Sequence, residues 1–198
     1  SLWYDEALSV SQAAEPFRQM VTDLIQTDIH PPLYFALLKG WMLGAGASEW
    51  AVRSLSASFS TLTVAALITL TARLAGRRTA MIAGVLGCFS PLLVYYGQET
   101  RMYALLAFLA TLGGYAFVRA ATRAPRWWIA ASFALAAALW TQLYAALLVA
   151  ALNAWYLLLL TNHALARRRN VLITSNGRMM GDAPRPRLPS RAWSTGVA

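Results

Sequence analysis

Cysteine, acidic residues and charge in general are all scarce in this chain of 198 residues. Cys88 is the only cysteine, so no disulfide can close within the chain and no cysteine-based metal site can form. It lies in an apolar run and reads as a small buried or lipid-facing residue. Only 13% of the residues are charged and 58% are hydrophobic, whereas soluble domains carry about 25% charged and roughly 45–50% apolar residues. The composition is that of a membrane protein. Between Glu49 and Asp182 one acidic residue occurs, Glu99. The chain starts Ser1-Leu2-Trp3, with neither Met nor a charged-then-apolar leader, so no signal peptide is visible and a preceding segment is expected. Internal repeats and His/Cys/carboxylate spacings of strong metal-site type are missing as well.

The charge that is present is mostly basic. A net charge of +9 could suit nucleic acid, but the arginines are not interleaved with aromatics on one polar segment, as a nucleic-acid face requires. They cluster instead between apolar runs, as in cytoplasmic loops of membrane proteins. The apolar runs predict five spans, at residues 50–74, 79–96, 103–121, 127–140 (or to 144) and 145–160. Gly76-Arg77-Arg78 closes the first, Ser90-Pro91 falls late in the second, Arg119, Arg123 and Arg126 close the third, and Arg167-Arg168-Arg169 closes the last. Alternation of five spans puts all three basic clusters on one side, which the positive-inside rule makes cytoplasmic.

Residues 1–49 then form an external first loop, holding six acidic residues: Asp5, Glu6, Glu15, Asp23, Asp28 and Glu49. Its apolar piece, residues 32–44, is too short for a span of about 20 residues. It predicts an interfacial or juxtamembrane helix starting at Pro31-Pro32, since proline suits a first helical turn. Residues 50–169 make the transmembrane bundle. From Asn170 to Ala198 Gly, Pro, Arg and Ser dominate, which predicts a disordered cytoplasmic tail. The fold class expected is all-α, a polytopic transmembrane bundle with an external loop bearing juxtamembrane helices.

This topology collects Asp5, Glu6, Asp28, His30, Glu49, Arg53, Glu99, Arg101 and Tyr103 on the external face. Such a mixed set suits transfer of a group from a lipid phosphate. A carboxylate takes the proton of the attacking hydroxyl, and cations stabilise the departing phosphate. Arginine fits best, because its fork matches phosphate oxygens in pairs. Asp5 and Glu6 are the candidate catalytic acids. His30, Arg53, Glu99, Arg101, Tyr103 and Asp28 are the candidates for binding the lipid phosphate or substrate. The competing readings are structural: a helix N-terminal charge pair for Asp5-Glu6, a local Glu99–Arg101 ion pair, and an aromatic belt at the span ends for Tyr95, Tyr96, Tyr103, Trp127, Trp128 and Trp140.

Four stretches in order resemble the GT-C class of membrane glycosyltransferases. They are Trp3-Tyr4-Asp5-Glu6-Ala7, Asp28-Ile29-His30-Pro31-Pro32-Leu33-Tyr34, Ser48-Glu49-Trp50-Ala51-Val52-Arg53-Ser54-Leu55-Ser56-Ala57, and Ser90-Pro91 followed by Tyr95-Tyr96-Gly97-Gln98-Glu99-Thr100-Arg101-Met102-Tyr103. Order and spacing are similar to the branch of protein O-mannosyltransferases and lipid A aminoarabinose transferases. The resemblance covers roughly residues 1–125. It implies a polyprenyl-phosphate-linked sugar as donor and a hydroxyl on a lipid, polysaccharide or protein as acceptor. It also implies a bacterial-type inner-membrane location, with the site on the external face. The family's presumed base maps onto Asp5, and its residue near the lipid phosphate maps onto His30. No cofactor is expected; oligosaccharyl-transferring members of the class use a divalent ion.

Two rival readings are a transporter or flippase and a non-catalytic membrane scaffold. A transporter places ionisable groups and broken helices near the midplane, often in repeated halves. Neither feature is expected here, and a scaffold leaves the collected carboxylates without a use.

Overall fold

The computed structural model describes residues 2–26, 30–122 and 124–181, with residues 25, 163 and 166–181 as backbone alone. All described regular structure is helical: α1 (Tyr4–Ala14), α2 (Phe17–Gln26), α3 (Leu33–Ala45), α4 (Glu49–Ala75), α5 (Arg77–Cys88), α6 (Pro91–Gly97), α7 (Tyr103–Thr122), α8 (Trp127–Thr141) and α9 (Ala145–Gly181). The chain divides into two units, residues 1–154 and 155–198. The first holds α1 to α8 and the start of α9; in the second, α9 continues to Gly181.

Local chemistry sets the helix ends. In α1 the first turn carries Asp5 and Glu6, whose negative charge suits a helix N-terminus. The helix stops at Glu15, which is extended as a residue before proline tends to be. Lys39 of α3 donates from Nζ to the carbonyls of Ala13 and Glu15, capping the end of α1. Helix α3 starts after Pro31-Pro32, as the sequence predicts. Ser48 caps α4 by accepting from the Ala51 amide at 3.3 Å, and α4 ends at Gly76, whose φ of 85° only glycine adopts without strain. That single residue turns the chain into α5.

The second expected span is broken. Helices α5 and α6 are bent by 52° at Phe89-Ser90, because Pro91 cannot donate to the preceding turn and opens a new helix instead. The expectation of unbroken helices therefore fails here, though no ionisable residue stands at the bend. Among the described residues three helices are long and apolar enough to cross a membrane, residues 49–75, 103–122 and 145–162, or four if the bent pair is one span. The expected span at residues 127–140 falls short: α8 has 15 residues, about 22 Å at 1.5 Å per residue, against about 30 Å of hydrocarbon. Proline at 125 and an extended Gln142 bound it on either side. Helix α9 passes Asn170, where the polar tail is expected to begin, and runs to Gly181; no proline interrupts it before Pro184. Residues 182–198 lie outside the described part. Large apolar side chains such as Ile82, Leu86, Phe133 and Leu147 point outward from these helices, as lipid-facing residues do.

Small residues set the packing. An added Cβ at Gly84 would lie 2.8 Å from Ile68, and one at Gly97 would lie 2.9 Å from Ser60 Oγ, so α5 and α6 approach α4 closely through glycine. Helices α7 and α8 form an antiparallel hairpin, with Gly113 against Leu135 and Phe117 against Trp128. A Cβ at Gly113 would sit 2.8 Å from Leu135 Cδ2, whereas Gly114 has open space. Gly113→Leu is expected to destabilise the bundle by about 1–3 kcal/mol, read as a lowered melting temperature in detergent. Gly114→Leu is the matched substitution that leaves it unchanged; equal effects would show that the α7–α8 contact is not tight.

The main core lies at one end of the bundle. Ala13, Met20 and Leu24 from α1 and α2, Tyr34, Phe35 and Leu38 from α3, Val52 and Leu55 from α4, and Met102 and Leu105 close over one another. Helices α1 to α3 are thus packed onto the starts of α4 and α7, which fixes α1 beside the loop at residues 98–102.

Candidate active site

Asp5 and Glu6 are neighbours in the first turn of α1, so about 100° of helix rotation separates their side chains. One faces inward and the other outward. Glu6 is 1% exposed. Its Oε2 accepts from the Trp3 amide at 3.0 Å and from Arg53 Nη2 at 2.7 Å. Its Oε1 accepts from Arg53 Nε at 3.0 Å and from the Thr100 amide at 2.9 Å. The Arg53 contact is the paired fork that arginine makes with carboxylates. Arg53 also donates through Nη1 to Glu49 Oε1, so every nitrogen of its guanidinium faces a carboxylate. Burial raises the Glu6 pKa, but the bonds from Arg53, Thr100 and Trp3 outweigh it and hold the carboxyl at about 2. Tyr34, fully buried with Ser56 beside it, has its hydroxyl pushed up by burial and stays neutral.

Asp5 is the outward member, with a side chain 66% exposed. Its Oδ2 lies 3.8 Å from Arg101 Nη1, and the same Nη1 donates to the Asp5 carbonyl at 3.4 Å. The ion pair of Arg101 is therefore with Asp5, across the chain, and among the described residues the local Glu99–Arg101 pair is not formed. Asp5 and Arg101 face a pocket of about 440 Å³, whose lining also includes Glu6, Glu99, Tyr95, Tyr96 and Tyr103. Tyr96 and Tyr103 have ring centroids 4.6 Å apart, and Tyr95 packs edge-on to Tyr96 at 5.3 Å. Trp3 and Tyr4, both largely exposed, complete the rim.

Of the residues that the sequence places on one face, Asp5, Glu6, Glu99, Arg101 and Tyr103 line this pocket, and Arg53 is bonded to Glu6 outside its lining. His30 is half-buried just before α3 and is not among the pocket's lining residues. Asp28 lies outside the described residues. Tyr95 and Tyr96 went unrecognised as pocket walls, because aromatics at span ends read as a membrane belt, and Trp3 and Tyr4 were given no role beyond flanking the acidic pair. The signal was their direct adjacency to the acidic pair and to Glu99. The Thr100 amide, too, is a backbone donor that no residue type announces. Among the described residues no group of His, Cys, Asp and Glu is arranged to hold a metal ion.

A second feature runs along α4. Ala57, Ser60, Val64, Ile68, Cys88 and Leu93 are among the residues lining an apolar groove of about 530 Å³ between α4 and the bent α5–α6 pair. It shares Ala57, Gly97 and Gln98 with a neighbouring pocket of about 520 Å³ that reaches Glu49 and Arg53. An open apolar groove thus leads to the polar end of the bundle.

Residues 29–175 match the model of a family described as dolichyl-phosphate-mannose-protein mannosyltransferase. The match takes in Arg53, Glu99 and Arg101 and begins after Asp5 and Glu6. Neither a curated protein nor a solved structure matches the chain.

Proposed function

This chain belongs to the dolichyl-phosphate-mannose-protein mannosyltransferase family, and from that premise we propose that it serves a multi-pass membrane enzyme moving a sugar from a polyprenyl-phosphate donor to an acceptor hydroxyl. The site is the Asp5–Arg101 pocket, on the external face of the membrane. One observation carries this reading: of the two adjacent carboxylates, Glu6 is buried and fully bonded, while Asp5 stands in an open pocket opposite a cation.

The reaction is a single displacement. The acceptor oxygen attacks the anomeric carbon from the face opposite the phosphate, and its proton passes to an Asp5 carboxylate oxygen. A carboxylate is a far weaker base than an alkoxide, so this proton leaves as the new bond forms rather than before it. The bond from the anomeric carbon to the phosphate oxygen breaks, its electron pair stays on that oxygen, and the configuration inverts. Arg101 stabilises the charge that develops on the polyprenyl phosphate. Tyr96, Tyr103 and Trp3 give the sugar apolar ring faces. The groove along α4 takes the polyprenyl chain: it runs into the neighbouring pocket at Arg53 and Gln98, and Gln98 is followed in the chain by Glu99 of the Asp5 pocket. Glu6 and Arg53 are positioning residues: they hold α1 and the loop at residues 98–102 in register and do not meet the reacting groups. Arg53 as a direct phosphate clamp gives way to Arg101 for that reason.

The test is transfer from a labelled polyprenyl-phosphate sugar in membranes holding the full-length protein. Arg101→Ala is expected to lower kcat/KM for the donor by about 10- to 100-fold, the loss of a charge-assisted bond. Arg101→Lys should recover only part of it, since a point charge replaces the fork. Full activity in Arg101→Ala would overturn the phosphate role.

A further inference from the structure

The far end of the same two long helices carries a second pair of arginines with no carboxylate. Arg73 sits in the last turn of α4 and Arg119 in the last turn of α7. With Leu74, Tyr115, Val118 and Thr122 they line a pocket of about 360 Å³. Arg119 donates from Nη1 to the Tyr115 hydroxyl at 3.0 Å, and its guanidinium lies 4.2 Å over the Trp127 ring. These contacts fix its direction while using one of five N–H donors. Arg73 is exposed. At the Asp5 end, by contrast, Arg53 and Arg101 are each paired with carboxylates. No acidic residue occurs anywhere from position 100 to 181, so this pocket has no such countercharge among the described residues.

Its position in depth names the source of the missing anion. Arg53 and Arg73 are separated by about 30 Å along α4, at 1.5 Å per residue, which is the thickness of the bilayer's hydrocarbon core. With Arg53 at one headgroup level, Arg73 and Arg119 stand at the other. Leu74 and Val118 add an apolar wall to the same pocket, which free phosphate has no use for and a glycerolipid does. Basic pockets between helices at this level suit anionic headgroups.

We propose that the Arg73–Arg119 pocket binds the phosphate of an anionic phospholipid in the leaflet opposite the Asp5 site. The two guanidinium groups hold the phosphate, the Thr122 and Tyr115 hydroxyls lie within the same lining, and the acyl chains run down the lipid-facing sides of α4 and α7. The site is separate from the donor pocket and ties the ends of α4 and α7 together through a lipid.

The full-length protein in a neutral detergent provides the test, read as melting temperature against added phosphatidylglycerol, phosphatidylcholine or inorganic phosphate. Phosphatidylglycerol is expected to stabilise the wild type, with no such effect from phosphatidylcholine or from phosphate at equal concentration. Each arginine near the surface is worth about five-fold in affinity, so Arg73→Gln/Arg119→Gln should need about thirty-fold more phosphatidylglycerol for half the shift. Arg73→Gln alone, at an exposed position, should need about five-fold more even if the double variant folds poorly. Stabilisation of the variants at the wild-type concentration, or equal stabilisation by phosphatidylcholine, would overturn the proposal. So would an equal effect of inorganic phosphate, which would make the ligand a free anion.

Discussion

Asp5→Asn in the full-length protein is expected to lower sugar transfer by about 10²–10⁴-fold, the usual contribution of a positioned general base. Membrane insertion and melting temperature should stay at wild-type values. The asymmetry follows from the contacts of Asp5. Its side chain is mostly exposed and touches Arg101 only at 3.8 Å, and such surface pairs contribute about 0–1 kcal/mol. Its carbonyl, which accepts from Ser9 Oγ at 2.9 Å, is untouched by the substitution. Asparagine keeps size and polarity but accepts no proton at neutral pH. Transfer at the wild-type rate by Asp5→Asn would remove Asp5 from the mechanism and leave the pocket without its base.

The opposite pattern is expected one residue along. Glu6→Ala strips four donors of their acceptor and leaves Arg53, 29% exposed, with the Glu49 contact alone. A buried donor left without its acceptor costs about 1–3 kcal/mol, and several lose theirs at once, so this variant should melt far below the wild type, with activity lost through the fold. Glu6→Gln supplies one acceptor oxygen and no charge, and should fall between the two. Replacing Arg53 as well recovers part of the loss, because the coupling between the two side chains is counted once. The pH dependence follows from the carboxyl held at about 2, below its usual 4.5. A lowered folded-state value means that the stabilisation is fully present above about 4.5. It is lost as pH falls from there through about 2. The wild-type advantage over Glu6→Gln should therefore be flat from neutral pH to about 4.5 and shrink below it. An advantage that shrinks near neutrality would mean that Glu6 is not held by Arg53 as described.

The helices were readable because apolar runs, prolines and arginine clusters mark them directly. Gly76, Pro31-Pro32 and Ser48 each end or begin a helix where residue chemistry says they should. The lengths were less readable: Pro91 splits what composition presents as one run, and α8 stops short because Gln142 turns extended. In the site, residue type alone drew Asp5, Glu6, Arg53, Glu99 and Arg101 to one face. The division of labour between Asp5 and Glu6 was not legible, since it depends on which way a helix of uncertain start is rotated. The partner of Arg101 was equally hidden, because an aspartate far away in sequence competes with a glutamate two positions off. Only the packing of α1 on α3 and beside the loop at residues 98–102 decides that contest.

The Glu6 tie also sets a timetable for making the protein. Its donors come from Trp3, Arg53 and Thr100, so it joins segments 47 and 94 positions apart in the chain. At roughly 5–20 residues per second of synthesis, Thr100 emerges about 5–20 s after Glu6. For the first half of that interval, until Arg53 is made, the Glu6 carboxylate has only the Trp3 amide among these donors. The last bond forms only when Thr100 follows. The tie is thus complete only once the chain has been made as far as Thr100, and until then α1 lacks part of its anchorage.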